Sequence, residues 1–138
     1  MSLTVLDRAE ALRKALDAER AGGRSVGLVP TMGALHSGHT SLMARAAAEC
    51  DVVAVTVFVN PLQFGPEEDL DAYPRDLDAD RARVAAAGSS YLFAPAMSEM
   101  FPEAPLTTVT VAGLSETLEG ATRPAHFAGV ATTVTKLL

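Results

Sequence analysis

Two histidines, His36 and His39, stand three residues apart where a helix is predicted to follow an apolar strand. Residues 25–29 are apolar and β-branched, which predicts the strand, and helical spacing of apolar residues predicts a helix from about Gly38 to Cys50. The first N–H groups of a helix have no internal partner and carry the positive end of the macrodipole, so they attract anions. Two imidazoles on that turn add hydrogen-bond donors. The spacing therefore predicts contact with phosphate.

A histidine pair can also bind a metal ion, or have no function at all. Gly33 and Gly38 allow a ligand close to the backbone, yet neither the P-loop pattern nor the dinucleotide pattern G-x-G-x-x-G is present. A zinc site needs a third ligand, and the chain offers only His126 and Cys50, which lies at the far end of the predicted helix. We therefore predict no metal site here. A histidine pair without any function is the remaining alternative.

The length and the composition of the chain are typical of a globular protein. The 138 residues fit one domain, and the sequence is 49% hydrophobic and 20% charged. The net charge of −6 and the absence of a Lys/Arg cluster argue against nucleic acid as a partner. An anionic ligand would therefore need local positive groups.

The cysteine count and the apolar runs bear on location. A single cysteine excludes an internal disulfide and fits a reducing compartment. Residues 1–10 lack the apolar run of a signal peptide, and the longest apolar run, residues 52–59, is too short to cross a bilayer. We expect a cytoplasmic protein without a membrane partner.

Strands and helices are predicted to alternate along the chain, which is typical of an α/β fold with a parallel sheet. Such sheets bind ligands beyond the carboxyl ends of their strands, so the His36 turn and the loop after Asn60 should share one sheet edge. Besides the elements around the histidines, we predict helices over residues 6–21, 76–88 and 128–138, strands over 51–59, 91–93 and 107–111, and long loops over 62–75 and 113–124.

Four sequence segments together resemble the pantothenate synthetase (pantoate–β-alanine ligase) family. The H-x-G-H element alone is shared with other nucleotidyl transferases and class I aminoacyl-tRNA synthetases, but the combination is far more specific. The resemblance implies a Rossmann-like sheet of the H-x-G-H nucleotidyl transferase type. The segments are Pro30-Thr31-Met32-Gly33-Ala34-Leu35-His36-x-Gly38-His39, Phe58-Val59-Asn60-Pro61-x-Gln63-Phe64, Asp71-x-Tyr73-Pro74-Arg75 and Arg123-Pro124-x-His126-Phe127-x-Gly129-Val130.

The resemblance also implies a reaction and roles for the residues of the histidine turn. The implied reaction is ATP-dependent condensation of pantoate with β-alanine through a pantoyl adenylate, with release of pyrophosphate and AMP and with Mg²⁺ as cofactor. Fixed donors would stabilise charge that develops on the phosphoryl oxygens. His39 carries over as the catalytic proton donor. The residues carried over to ATP binding are Met32, Gly33, His36, Gly38 and His39.

Substrate-binding residues carry over in the same way. Gln63 is implied to hold both pantoate and β-alanine, because an amide offers donors and acceptors. Arg123 either neutralises a carboxylate or pairs with Glu119, and both alternatives stay open. Tyr73 and Asp80 either order the loop, help to place Mg²⁺ or are solvated. The full set implied for pantoate and β-alanine is Pro30, Thr31, Met32, Asn60, Gln63, Arg123, His126 and Val130.

Two segments of the family pattern, Gly-Glu-Lys-Asp and Ser-Ser-Arg, do not occur in these 138 residues. We therefore expect residues 1–138 to form an amino-terminal nucleotide- and pantoate-binding domain without the carboxy-terminal lid domain, with little or no turnover. The resemblance also implies a homodimer. Two alternatives stay open: a nucleotidyl transferase that acts on a phosphorylated acceptor, and a noncatalytic module for ligand binding or dimerisation.

Overall fold

The computed structural model describes residues 2–138, which divide into two compact units. The first unit comprises the residues up to Phe58 together with Pro74–Pro102. The second unit comprises Val59–Tyr73 and Glu103–Leu138.

Four strands and four helices alternate in the first unit. Ordered along the chain, they are β1 (Thr4–Leu6), α1 (Ala9–Ala21), β2 (Val26–Thr31), α2 (Ser37–Glu49), β3 (Val52–Val57), α3 (Leu77–Ala86), β4 (Tyr91–Phe93) and the single turn α4 (Met97–Met100).

The four strands form one parallel sheet with the order β1-β4-β3-β2. Apolar β-branched residues fill the central strand β3, whose first five residues are all buried, as expected of a strand covered on both faces. Met43 of α2 and Val84 of α3 are fully buried in the same core as Val55 and Leu92. The predicted α/β class with a parallel sheet is confirmed.

The start of the chain differs from the prediction. The helical spacing of Leu6 with the apolar residues that follow predicts that it starts the first helix, but Leu6 ends β1 and pairs with Phe93. The helix begins only at Ala9, whose backbone N–H donates to the Glu99 carboxylate at 2.8 Å. A strand of three residues is too short for its sequence alone to reveal a period.

Strand β2 runs two residues further than predicted and includes Pro30. Proline cannot donate a ladder hydrogen bond, and β2 lies at an edge of the sheet, where a strand tolerates proline. Thr31, the last residue of β2, pairs in register with Val57, the last residue of β3. The two strands therefore end at the same edge of the sheet, and the histidine turn starts there.

The second unit is built around one helix that packs on a short turn. Helix α6 (His126–Leu137) contacts the 3₁₀ turn Pro61–Gln63, and the one-turn helix α5 (Glu119–Thr122) precedes α6. Gly129 is buried where α6 meets Leu62. Over residues 2–138, no helix combines the length and the apolar character that a membrane span requires.

The strand predicted over residues 107–111 is wrong, since this segment has no regular structure. The alternation that suggested it is real, because Val109 is half-buried while its neighbours are exposed. The Val109 N–H, however, donates to the Thr132 hydroxyl of α6 at 2.8 Å instead of to a neighbouring strand. The fourth strand of the sheet is β1.

Candidate functional site

The two histidines cap α2 reciprocally. His36 is the N-cap residue, and its Nδ1 accepts the Gly38 N–H at 3.0 Å. In return, Nδ1 of His39 accepts the His36 N–H at 3.2 Å. The ring centroids are 4.1 Å apart. Imidazoles thus take the places that Ser and Glu occupy in a common capping box.

This capping determines which ring nitrogens carry protons. A nitrogen that accepts an N–H cannot hold a proton itself, so Nδ1 of His36 and Nδ1 of His39 are both unprotonated. The neutral rings are therefore both Nε2–H tautomers. Each ring keeps one N–H donor at the beginning of a helix, where the macrodipole also favours an anion.

The surroundings of His39 favour its neutral form. Partial burial lowers the pKa of His39, the neighbouring His36 lowers that pKa further, and the Asp80 carboxylate raises it. Burial is the largest of the three effects. His36 is exposed, whereas His39 is half-buried.

Asp80 lies beneath the histidine turn and is 4% exposed. Its Oδ2 accepts the Ala34 N–H at 3.1 Å, and its Oδ1 accepts the Leu35 N–H at 2.9 Å. The alternative that Asp80 is solvated is therefore wrong. Its carboxylate instead holds the backbone of the histidine turn. Val84, four residues later, is buried on the same face of α3, so helical spacing was a signal for Asp80.

We expect nitrogen chemical shifts to reveal these tautomers. Long-range ¹H–¹⁵N correlation at pH 8 should show Nε2–H forms for His36 and His39. His126 should show the opposite Nδ1–H form, because its Nδ1 lies 2.9 Å from the Gln63 carbonyl oxygen, which only accepts hydrogen bonds. The three rings are mutual controls. An Nδ1–H form at His36 or His39 would contradict the reciprocal cap.

In the second unit, Asn60 is 3% exposed, and its side-chain amide uses all of its hydrogen-bonding capacity. Its Nδ2 donates to Gln63 Oε1 at 3.0 Å and to the Gly129 carbonyl oxygen at 3.1 Å. Its Oδ1 accepts from the Leu62 N–H at 3.1 Å and from the Thr133 hydroxyl at 2.9 Å. Asn60 therefore sets the orientation of the Gln63 amide and leaves the Nε2–H donors of Gln63 for other partners.

Arg123 and His126 converge on the carbonyl oxygen of Gln63. Arg123 donates to it at 3.3 Å and forms an ion pair with Glu68, while its contact with Glu119 is 3.9 Å long. The Gly65 N–H and the Arg123 guanidinium hold the pKa of Glu68 below its ordinary value. Glu68, Arg123 and His126 line a cavity of about 470 Å³. Sequence reasoning missed Glu68, which no spacing distinguished from the polar loop around it.

The remaining predicted residues lie near these two sets. Thr31 is half-buried, and its hydroxyl donates to the Thr56 carbonyl oxygen at 2.7 Å and accepts the Gly33 N–H at 3.2 Å. Pro30 is exposed on β2, Met32 follows the strand and is half-buried, and Val130 is half-buried on α6. The structure thus groups Gly33, His36, Gly38 and His39 in the first unit, and Asn60, Gln63, Arg123 and His126 in the second.

Comparison with known proteins identifies relatives along nearly the whole chain. The family model for pantoate-beta-alanine ligase matches residues 4–138. The pantothenate synthetase of Rhizobium etli is 56% identical over 135 residues, which cover 98% of this chain and 46% of that protein. The pantothenate synthetase of Deinococcus radiodurans is 62% identical over 113 residues, which cover 82% of this chain and 40% of that protein. The chain thus spans less than half the length of these two relatives.

Solved structures agree with the sequence matches. The pantothenate synthetase of Thermus thermophilus superposes with a TM-score of 0.88 at 51% identity, and the match covers 99% of this chain and 48% of that one. The ligase of Francisella tularensis, solved in complex with beta-gamma ATP and β-alanine, gives a TM-score of 0.86 at 36% identity, over 99% and 52% of the two chains. From the matched motifs, the shared fold and the extent of the family match, this chain belongs to the pantoate–β-alanine ligase family.

Proposed function

We propose that this chain binds ATP and pantoate as part of a pantoate–β-alanine ligase. In the proposed reaction a pantoate carboxylate oxygen attacks the α-phosphorus of ATP, and the bond to pyrophosphate breaks. The β-alanine amine then attacks the acyl carbon of the pantoyl adenylate, loses a proton and displaces AMP. Both steps need donors that stabilise negative charge on phosphoryl oxygens.

The reciprocal histidine cap is the observation that carries this proposal. It fixes two Nε2–H donors at the N-terminus of α2, in a chain whose family name specifies a ligase. We assign ATP binding to His36 and His39, with Met32, Gly33 and Gly38 as the adjoining backbone. We propose His39 as the catalytic residue of the turn, with its ring N–H as the donor to the charge that develops on phosphate.

We assign contacts with pantoate and β-alanine to Gln63 and its neighbours in the second unit. The orientation that Asn60 imposes on Gln63 supports Gln63 as the residue that hydrogen-bonds a hydroxyl or a carboxylate. The ion pair with Glu68 already balances the charge of Arg123, so we propose that Arg123 mainly holds the Gln63 backbone. We propose His126 and Val130 as further pantoate contacts in the second unit, and Pro30, Thr31 and Met32 of the first unit as substrate contacts as well.

We propose that Mg²⁺ arrives with the nucleotide. Residues 2–138 contain no group of three His, Cys, Asp or Glu side chains that is placed to hold a metal ion. Mg²⁺ commonly keeps several waters and binds through substrate phosphates with only one or two carboxylates. When bound, the ion would neutralise phosphate charge.

We further propose a homodimer, for which exposed Leu106, Leu114 and Leu118 offer apolar surface.

We expect the 138 residues on their own to bind ligands but to form little pantothenate. The family segments Gly-Glu-Lys-Asp and Ser-Ser-Arg, whose Lys and Arg would contact the phosphates, do not occur in these 138 residues. Charge-assisted hydrogen bonds contribute about 1.5–3 kcal/mol each, so without such cations the transition state would be stabilised weakly.

Calorimetry of the purified chain with ATP and Mg²⁺, and separately with pantoate, tests the binding. Quantifying AMP and pantothenate from ATP, pantoate and β-alanine tests turnover. Pantoate binding with slow AMP release is the expected result, and fast turnover would contradict the expectation of weak activity. A nucleotidyl transferase would also release pyrophosphate, but β-alanine would not consume its nucleotidylated product. Such a product would instead favour that alternative function. Absence of binding to both ligands would overturn the proposal.

A further inference from the structure

One buried carboxylate connects α3 with the histidine turn, 45 residues apart in sequence. Both oxygens of Asp80 accept backbone N–H groups of the turn, from Ala34 at 3.1 Å and from Leu35 at 2.9 Å. An ionised carboxylate provides only acceptors, so it matches two adjacent N–H donors. Hydrogen bonds to a charged group are stronger than neutral ones.

The turn that Asp80 holds has an unfavourable backbone conformation. Gly33 has φ +83° and Ala34 has φ +51°, so two consecutive residues are left-handed. A residue with a Cβ adopts this conformation rarely, and it persists only where the surroundings enforce it. A Cβ on Gly33 would lie 2.8 Å from Asp80 Oδ2, so the carboxylate fits closely against the turn.

The left-handed residues immediately precede the reciprocal cap. Leu35, which donates to Asp80, is followed directly by His36, whose N–H and Nδ1 both belong to the cap. Release of the Leu35 N–H would therefore free the backbone that orients both imidazoles. The ionisable groups that act on His39 are His36 and Asp80.

We propose that Asp80 is a positioning residue for the histidine pair. Its carboxylate holds the left-handed turn at residues 33–35 so that the Nε2–H donors of His36 and His39 face one ligand. The nucleotide part of this inference rests on the proposed function, whereas the positioning part does not.

The substitution Asp80→Asn tests this proposal with little change in shape. An asparagine amide nitrogen cannot accept a hydrogen bond, so one of the two turn N–H groups loses its partner, and the negative charge is lost. We expect the His39 pKa to fall further, because the carboxylate that raises it is gone. The Kd for ATP with Mg²⁺ should rise about tenfold, as expected when an ordering hydrogen bond is lost.

The matched control is Asp78→Asn, which removes the same charge from the first turn of α3 at an exposed position. NMR titration of the histidines should show a lowered His39 pKa in Asp80→Asn and an unchanged one in Asp78→Asn. An equal shift in both variants, or none in either, would overturn the positioning role. A shifted titration with unchanged ATP affinity would overturn the nucleotide role of the turn, because the lost charge by itself lowers the His39 pKa.

Hydrogen exchange in the unsubstituted chain tests the same contact even where Asp80→Asn fails to fold. The Ala34 and Leu35 amides lie outside every helix and strand, yet they should exchange slowly because Asp80 accepts from both. The exposed loop amide of Thr108 is the reference. Exchange of all three amides at equal rates would overturn the proposal.

Discussion

Replacing Gly129 with alanine should lower the free energy of unfolding by about 3 kcal/mol or more, because the added methyl group has no space. A Cβ at this position would lie 2.1 Å from the Leu62 carbonyl oxygen and 2.6 Å from the Gln63 backbone nitrogen. Both atoms belong to the backbone, so no side-chain rotation relieves the overlap. Helix α6 would have to move off the turn that carries Asn60 and Gln63. Urea denaturation followed by circular dichroism measures the loss.

The control for Gly129→Ala is Thr135→Ala, on the exposed face of the same helix. Thr135 bonds only within α6, to the Ala131 carbonyl oxygen, and alanine favours the helix more than threonine does. The free energy of unfolding of Thr135→Ala should stay within about 0.5 kcal/mol of that of the unsubstituted chain. Since alanine is also favoured over glycine in a helix, an increase in stability for Gly129→Ala would contradict the close contact.

Replacing His39 with alanine should raise the Kd for ATP with Mg²⁺ by about 10- to 100-fold. The variant loses the Nε2–H donor proposed to contact phosphate, a charge-assisted bond of about 1.5–3 kcal/mol. It also leaves the His36 N–H without its Nδ1 acceptor. Any pantoate-dependent exchange of pyrophosphate into ATP should fall by about 10²- to 10³-fold, as is typical for the loss of one transition-state donor. Calorimetry and isotope exchange provide the two measurements.

Ser37→Ala is the matched control for His39→Ala, because Ser37 is exposed in the same turn and its backbone oxygen, not its hydroxyl, accepts from Thr40. ATP affinity should remain within about twofold of the original in this variant. Equal affinities for His39→Ala and Ser37→Ala would show that the imidazole does not contact the nucleotide.

Local patterns were sufficient for the elements with a clear period. Strand β3 was predicted from its β-branched run, α2 from apolar spacing, and α3 from apolar spacing together with Asp76 before it. His36 precedes α2, and the Asp76 side chain accepts the Ala79 N–H at the start of α3. These signals act within a few residues, so they are readable without tertiary structure.

Predictions failed where a distant partner decided the structure. Residues 107–111 alternate like a strand, but a hydroxyl of α6 takes the Val109 N–H. Residues 4–6 show no period, yet β4 pairs with them. Pairing is determined by the neighbouring strand, and three residues contain too little pattern to predict it.

The sequence by itself determined the family, the α/β class and the presence of a histidine pair at a helix start, because motifs and periodicity are local properties of the chain. Tertiary structure alone decided how those residues are held. It buried Asp80 beneath the turn and completed all the hydrogen bonds of Asn60, through contacts across 45 and up to 73 residues. Ring tautomers and amide orientation depend on which donor faces which acceptor, and the folded chain alone determines that geometry.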